Sequence, residues 1–179
     1  MKKSSFLVVL SLALISTIFG AIFLMHSAPS EEVRSYLNEF MWNMKSGVSD
    51  TNIFVNALKD NLLTLSAIFI CGFFKPGFIV TIFVTMRKCF VSAFTVSAFM
   101  YYYSLKGFLT AAVIALPFMI LFTSLIIISA ASITLSLDNN RLTLLKPYIL
   151  FTLICTITFF AAALSEGYIV PSLTLLILK

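Results

Sequence analysis

FLTAAVIALPFMILFTSLIIISAA, residues 108–131, is the longest apolar run in the chain and carries no charged side chain. A helix needs about 20 apolar residues to cross the hydrocarbon core of a bilayer, and this run is long enough. Pro117 falls inside it, so a kink is expected, with a freed carbonyl that needs a neighbouring helix. The rest of the chain has the same character. Of 179 residues, 60% are hydrophobic and 11% charged, 19 are Phe, and the mean hydropathy is +1.06. Soluble domains carry roughly 25% charged residues, so water is the wrong solvent for this chain. Barrel strands would alternate apolar and polar positions, whereas these runs are continuous. The fold class expected is all-α: a polytopic membrane helical bundle of five to six transmembrane helices, with one outer amphipathic helix and a short interfacial elbow.

Moving towards the N-terminus, Tyr101, Tyr102 and Tyr103 form an aromatic belt, followed by a short turn at "SLKG". The belt closes a span over Cys89–Tyr103. Before it, Phe78–Met86 is only nine residues long, lies between "KPG" and the pair Arg87–Lys88, and reads as an interfacial or re-entrant elbow. The preceding apolar stretch, Leu62–Phe74, is 13 residues, or about 20 Å at 1.5 Å per residue. It falls short of the about 30 Å core, so its helix must begin near Ile53. That places Asn52, Asn56, Asp60 and Thr64 on one polar stripe, with Asn61 beside it, facing other helices or water. "KPG", Lys75–Gly77, breaks this helix. Towards the C-terminus, Ser132–Lys146 reads as a polar loop and Pro147–Leu164 as a span with a small-residue face at Ala161, Ala162 and Ala163. Five spans result, near 6–25, 54–74, 89–104, 108–131 and 147–165, and the tail broken by Pro171 is a candidate sixth.

The whole chain reads as one integral membrane domain: an anchor helix over 6–25, an outer amphipathic segment over 28–52 and a helical bundle over 53–179. The anchor is expected to be retained, because a cut after Ala28 would put His26 at the −3 position of a signal site. In "SEEVRSYLNEFMWNMKSG", Val33, Tyr36, Leu37, Phe40, Met41 and Met44 share one helix face, with Ser30 as a cap and Lys45 and Gly47 at the C-terminal end. This helix lies on the membrane surface or offers a docking face to another protein. Lys and Arg favour a cytoplasmic N-terminus: Lys2, Lys3, Lys75, Arg87, Lys88, Arg141 and Lys146 inside against Arg34, Lys45, Lys59 and Lys106 outside. Membrane lipid is the expected surrounding.

The sequence offers little chemistry. His26 is the only histidine, and Cys71, Cys89 and Cys155 make no CxxC pair and read as apolar residues. No phosphate-binding glycine loop and no paired carboxylates occur. No catalytic residue, metal site or cofactor is expected, nor a nucleic-acid partner, since no basic cluster with interleaved aromatics is present.

Three signatures, in order after an N-terminal anchor and a polar stretch, resemble those of the stage II sporulation protein M family over about residues 50–179. "IFVNALKDNLLTLSAIFICGF" is similar to the family's Asn-headed helix ending in Gly, at Asn56, Asn61 and Gly72. "YYYSLKGFLTAAVIALPFMI" is similar to its Tyr, Lys-Gly hairpin leading to a Pro, at Pro117. "EGYIVPSL" is similar to its Glu-x-Tyr-x-x-Pro, at Glu166, Tyr168 and Pro171. Relatives outside sporulation carry Pro-His-Gly and then an acid in the fourth span, where this chain has Pro117, Phe118, Met119 and Phe122. The resemblance implies a non-catalytic, multi-pass scaffold that recruits peptidoglycan-degrading partners, sporulation proteins D and P, to the septal membrane during engulfment in endospore formation. The partner contact would then be Val33, Tyr36, Leu37, Phe40 and Met44 on the outer helix. The competing reading is the membrane subunit of a transporter, similar to one half of an export permease, which would require an oligomer.

Glu166 is the outlying carboxylate of the C-terminal apolar region. Either it sits near the headgroups, with Gly167 and Pro171 ending the helix, or it reaches inward to Lys106 or Asn61.

Overall fold

The computed structural model describes residues 3–26, 31–45, 50–138 and 141–178, and all of its described elements are helical. They are α1 (Lys3–His26), α2 (Glu31–Lys45), α3 (Asp50–Cys71), α4 (Gly77–Leu137), α5 (Arg141–Leu164), a π-helical turn (Ser165–Ile169) and α6 (Val170–Leu178). Five stretches are long and apolar enough to cross a membrane: Lys3–Leu24, Thr51–Cys71, Gly77–Tyr103, Gly107–Leu137 and Arg141–Ile177. The chain is therefore a multi-pass membrane protein of the all-α class.

α4 has 61 residues and would be about 92 Å long if straight, three times the hydrocarbon core. It doubles back instead. Phe99 O lies 2.1 Å from where a Cβ on Gly107 would stand, although residues eight apart in a straight helix are about 12 Å apart. Only a residue without a Cβ permits that approach. The arms Gly77–Tyr103 and Gly107–Leu137 run antiparallel and are tied by two hydroxyl pairs, Thr85–Ser129 at 2.7 Å and Thr81–Ser132 at 3.1 Å. Ser132 donates to Ile68 O at 3.0 Å, so Thr81 is the donor in its pair. Such hydroxyl contacts hold helices together where lipid removes the hydrophobic drive.

α1 lies along α4 through Val9, Ala13, Ser16, Gly20 and Leu24, a buried stripe at helical spacing whose central members are small. Phe19 and Phe23 on α1 meet Phe90 and Phe94 on the first arm. At one end of the bundle Leu24, Ala98, Phe99 and Ala111 form a cluster that receives Leu37 and Met41 of α2. At the other end Arg141 donates to Phe73 O at 2.8 Å and to Ser136 O at 3.3 Å, closing the turns between α3, α4 and α5.

Three expectations change. Phe78–Met86 is not an elbow: it is the start of a span that runs through Arg87 and Lys88 to Tyr103. Lys88 is tolerated in mid-span because α3 supplies its partners. Ser132–Lys146 is not a loop either, since α4 continues to Leu137 and α5 begins at Arg141. The polar residues that suggested a loop, Asp138 to Arg141 and Lys146, fall in sequence at the junction of the two helices and the start of α5, and the hydroxyls before them bond to their own helix, Thr134 to Ala130 O and Ser136 to Ile133 O. The tail is no sixth span: it prolongs the fifth through the π turn. Ser30 and Gly47 lie outside the described residues, as do the side chains of Met44 and Lys106.

Candidate functional site

α3 carries Asp60 and Asn61 near its middle, and the first arm of α4 brings Lys88 to the same depth, about 16 Å along the helix from Gly77. The Lys88 ammonium donates to Asp60 Oδ2 and, at 3.0 Å, to Asn61 Oδ1. Asn61 Nδ2 donates in turn to Phe159 O on α5 at 3.2 Å. Three helices are thereby joined by one polar chain, and the Asn61 amide is oriented by having a donor on one side and an acceptor on the other. A lone charge at the centre of a bilayer costs about 2.5–3.5 kcal/mol even on the insertion scale, and pairing offsets this.

This chain forms one wall of a cavity of about 210 Å³. Arg87 and Lys88 line it from the first arm, Pro117 and Phe118 from the second, Asp60 and Asn61 from α3, and Glu166 from the π turn. Phe40 of α2 stands at its edge. Glu166 is within electrostatic reach of both Lys88 and Asp60.

Two local devices aim Glu166 there. The first is the wide turn, in which Val170 N–H bonds Ser165 O five residues back. It precedes Pro171, whose ring would clash with the carbonyl of Gly167 in a regular α-helix. The second is Gly167, where a Cβ would stand 2.5 Å from Phe54 Cβ and 2.8 Å from Phe54 Cα. The bare glycine lets α3 close against the turn, with Phe54 also edge-on to Phe160. Glu166 thus lies inside a continuous helical segment rather than at a helix end, and its expected pairing with Lys106 falls on a side chain outside the described residues. Gly167 and Pro171 do not stop the helix; they shape it.

The structure gathers Phe40, Asp60, Asn61, Pro117 and Glu166 around one cavity and leaves the other singled-out residues apart. Asn56 is exposed. Gly72 packs against the Tyr148 hydroxyl, which itself bonds Ile68 O at 3.1 Å and Phe69 O at 3.0 Å. Pro171 is buried just beyond the turn. On α2, Leu37 and Met41 are buried in the bundle, Val33 and Phe40 are half-buried against it, and Tyr36 is exposed. Phe40 stacks edge-on with Phe99, and Tyr103 Oη donates to Asn38 Oδ1 at 2.6 Å. The apolar face expected to meet a partner therefore anchors α2 to its own protein. Arg87 and Lys88 were missed as site residues. The available signal was their position near the middle of a 27-residue helical stretch, Gly77–Tyr103.

The family model for stage II sporulation protein M matches residues 8–171, from the first span to Pro171. The chain belongs to that family. The match takes in every element of the bundle up to Pro171, including all the cavity residues named above. No curated protein and no solved structure matches the chain.

Proposed function

We propose that this protein is a non-catalytic membrane scaffold that recruits peptidoglycan-degrading partners, sporulation proteins D and P, to the septal membrane during engulfment in endospore formation. The observation that carries the reading is family membership over nearly the whole chain. The construction of the molecule supports it: the polar groups near mid-span are engaged in joining helices rather than arranged as nucleophile, base and orienting group. The N-terminus lies in the cytoplasm and α2 on the outer face. Arg87 and Lys88, and Lys59 beside Asp60 in α3, lie within spans and leave that count, while Lys179 follows the fifth span and joins the outer side, so Lys2, Lys3, Lys75, Arg141 and Lys146 inside exceed Arg34, Lys45, Lys106 and Lys179 outside.

With Leu37 and Met41 turned inward, the partner contact falls on the outward side of α2, where Tyr36 and Trp42 are exposed. Aromatic residues of this kind are common anchors at interfaces. Replacing both Tyr36 and Trp42 with Asp should abolish co-purification with protein D or protein P from sporulating cells, at normal expression of the variant. Full co-purification rejects this surface. Purified protein should release no fragments from peptidoglycan, and release would reject the non-catalytic role.

The charged mid-membrane cavity favours a second reading, the membrane subunit of a transporter. That reading requires an energising subunit, so an ATPase in place of cell-wall hydrolases among the co-purified proteins would establish it over the scaffold.

A further inference from the structure

The four charged groups of the cavity are not equivalent. Lys88 and Asp60 neutralise one another in direct contact, so together they present a dipole rather than a net charge. Arg87 and Glu166 have no hydrogen-bond or ion-pair partner among the described residues. The cavity thus presents one guanidinium and one carboxylate, on different helices, both exposed and without a direct partner among the described residues, although Glu166 feels Lys88 at a distance. Ionisable groups within spanning segments mark function by default. A guanidinium offers a fork of donors suited to phosphate or carboxylate oxygens, and a carboxylate only accepts, which suits an ammonium. The volume, about 210 Å³, is far above the space one water needs and below the about 300–1,000 Å³ of drug-sized pockets. Much of the remaining lining, Val91, Val96, Ile114, Leu121 and Val170, is apolar, with Ser92 and Thr95 adding hydroxyls.

We infer that the cavity between α3, the two arms of α4 and the π turn binds a small zwitterion, with its phosphate or carboxylate on Arg87 and its ammonium on Glu166. Two sources share that chemistry: the headgroup of phosphatidylethanolamine entering from the bilayer, and a free solute such as phosphoethanolamine. The site is independent of the partner contact on the outward side of α2. Neither recruitment nor its failure bears on it.

The test uses the full chain in detergent. Native mass spectrometry compares retention of phosphatidylethanolamine with that of phosphatidylglycerol, whose headgroup has no ammonium. A thermal melt with and without free phosphoethanolamine covers the soluble source. The wild type should retain the zwitterionic lipid over the anionic one by about ten-fold, or be stabilised by the free solute. Either result supports the site, and which one appears names the source. Glu166→Gln should invert the lipid preference, because the arginine alone selects an anion. For the soluble source, the same variant should lose the shift given by phosphoethanolamine. Arg87→Gln should lose binding, and Arg87→Lys, which keeps the charge, guards against simple misfolding by retaining it. Equal retention of both lipids together with no response to the free solute overturns the inference. So does a Glu166→Gln protein that is monodisperse and keeps the wild-type preference.

Discussion

Lys88 is the residue whose reading most altered the picture. In the linear sequence Arg87–Lys88 looks like the end of a membrane segment, because the partners that make Lys88 tolerable lie 27 and 28 residues earlier. No window of the sequence contains both sides of that contact. Asp60, Asn61 and Glu166, by contrast, were legible as polar residues in apolar helices, since such residues are costly and need a reason. Removing one side of the pair leaves the other uncompensated. Lys88→Met should lower stability in detergent by about 1–2 kcal/mol, the lower part of the range for charged hydrogen bonds, since Asp60 is half exposed to the cavity. Adding Asp60→Leu to that variant should recover most of the loss. A double-mutant cycle by thermal melting measures this, and additive losses would show that the pair has no coupling. Gly167→Ala should cost about 1–3 kcal/mol, because the new methyl meets the Phe54 backbone, which cannot move aside without shifting α3. A melt unchanged from wild type would mean that α3 does not close on the π turn.

Among the elements, helix existence was readable and helix ends were not. Asp138, Asn139, Asn140, Arg141 and Lys146 drew the loop boundary back to Ser132, yet Ser132, Thr134 and Ser136 belong to the helix and their hydroxyls are satisfied inside the bundle. Serine and threonine carry the donor and the acceptor of their own neutralisation, which hydropathy does not register. The same hydroxyls tie the arms of α4. Ser129→Ala should cost about 0.6 kcal/mol, the average for such contacts within membranes, and coupling to Thr85→Val in a cycle identifies the bond. The amphipathic pattern of α2 was equally plain, but a pattern names a face and not what covers it. Here the cover is Leu24, Ala98, Phe99 and Ala111. Leu37→Asp should therefore release α2 and expose the 31–45 segment to limited proteolysis. Unchanged protease resistance would place α2 away from the bundle.

At the scale of the molecule, solvent decided the fold. A chain with 60% hydrophobic residues has more apolar surface than a bundle of this size can bury, and large residues such as Phe83, Ile157 and Leu176 remain on the outside. That follows from composition alone, and so did the fold class. The number of crossings did not, because it depends on whether the stretch before Arg87 and the tail after Glu166 are spans in their own right. The structure answers with five: one span runs through the basic pair, and one runs through the π turn to Ile177. An odd number places the two ends of the bundle on opposite sides of the membrane, with α2 and the outward end of the cavity on the side away from Lys3. Reporter fusions before Lys3 and after Ile177 measure this directly. The account requires the N-terminal reporter in the cytoplasm and the C-terminal reporter outside. Both reporters on the same face would contradict it.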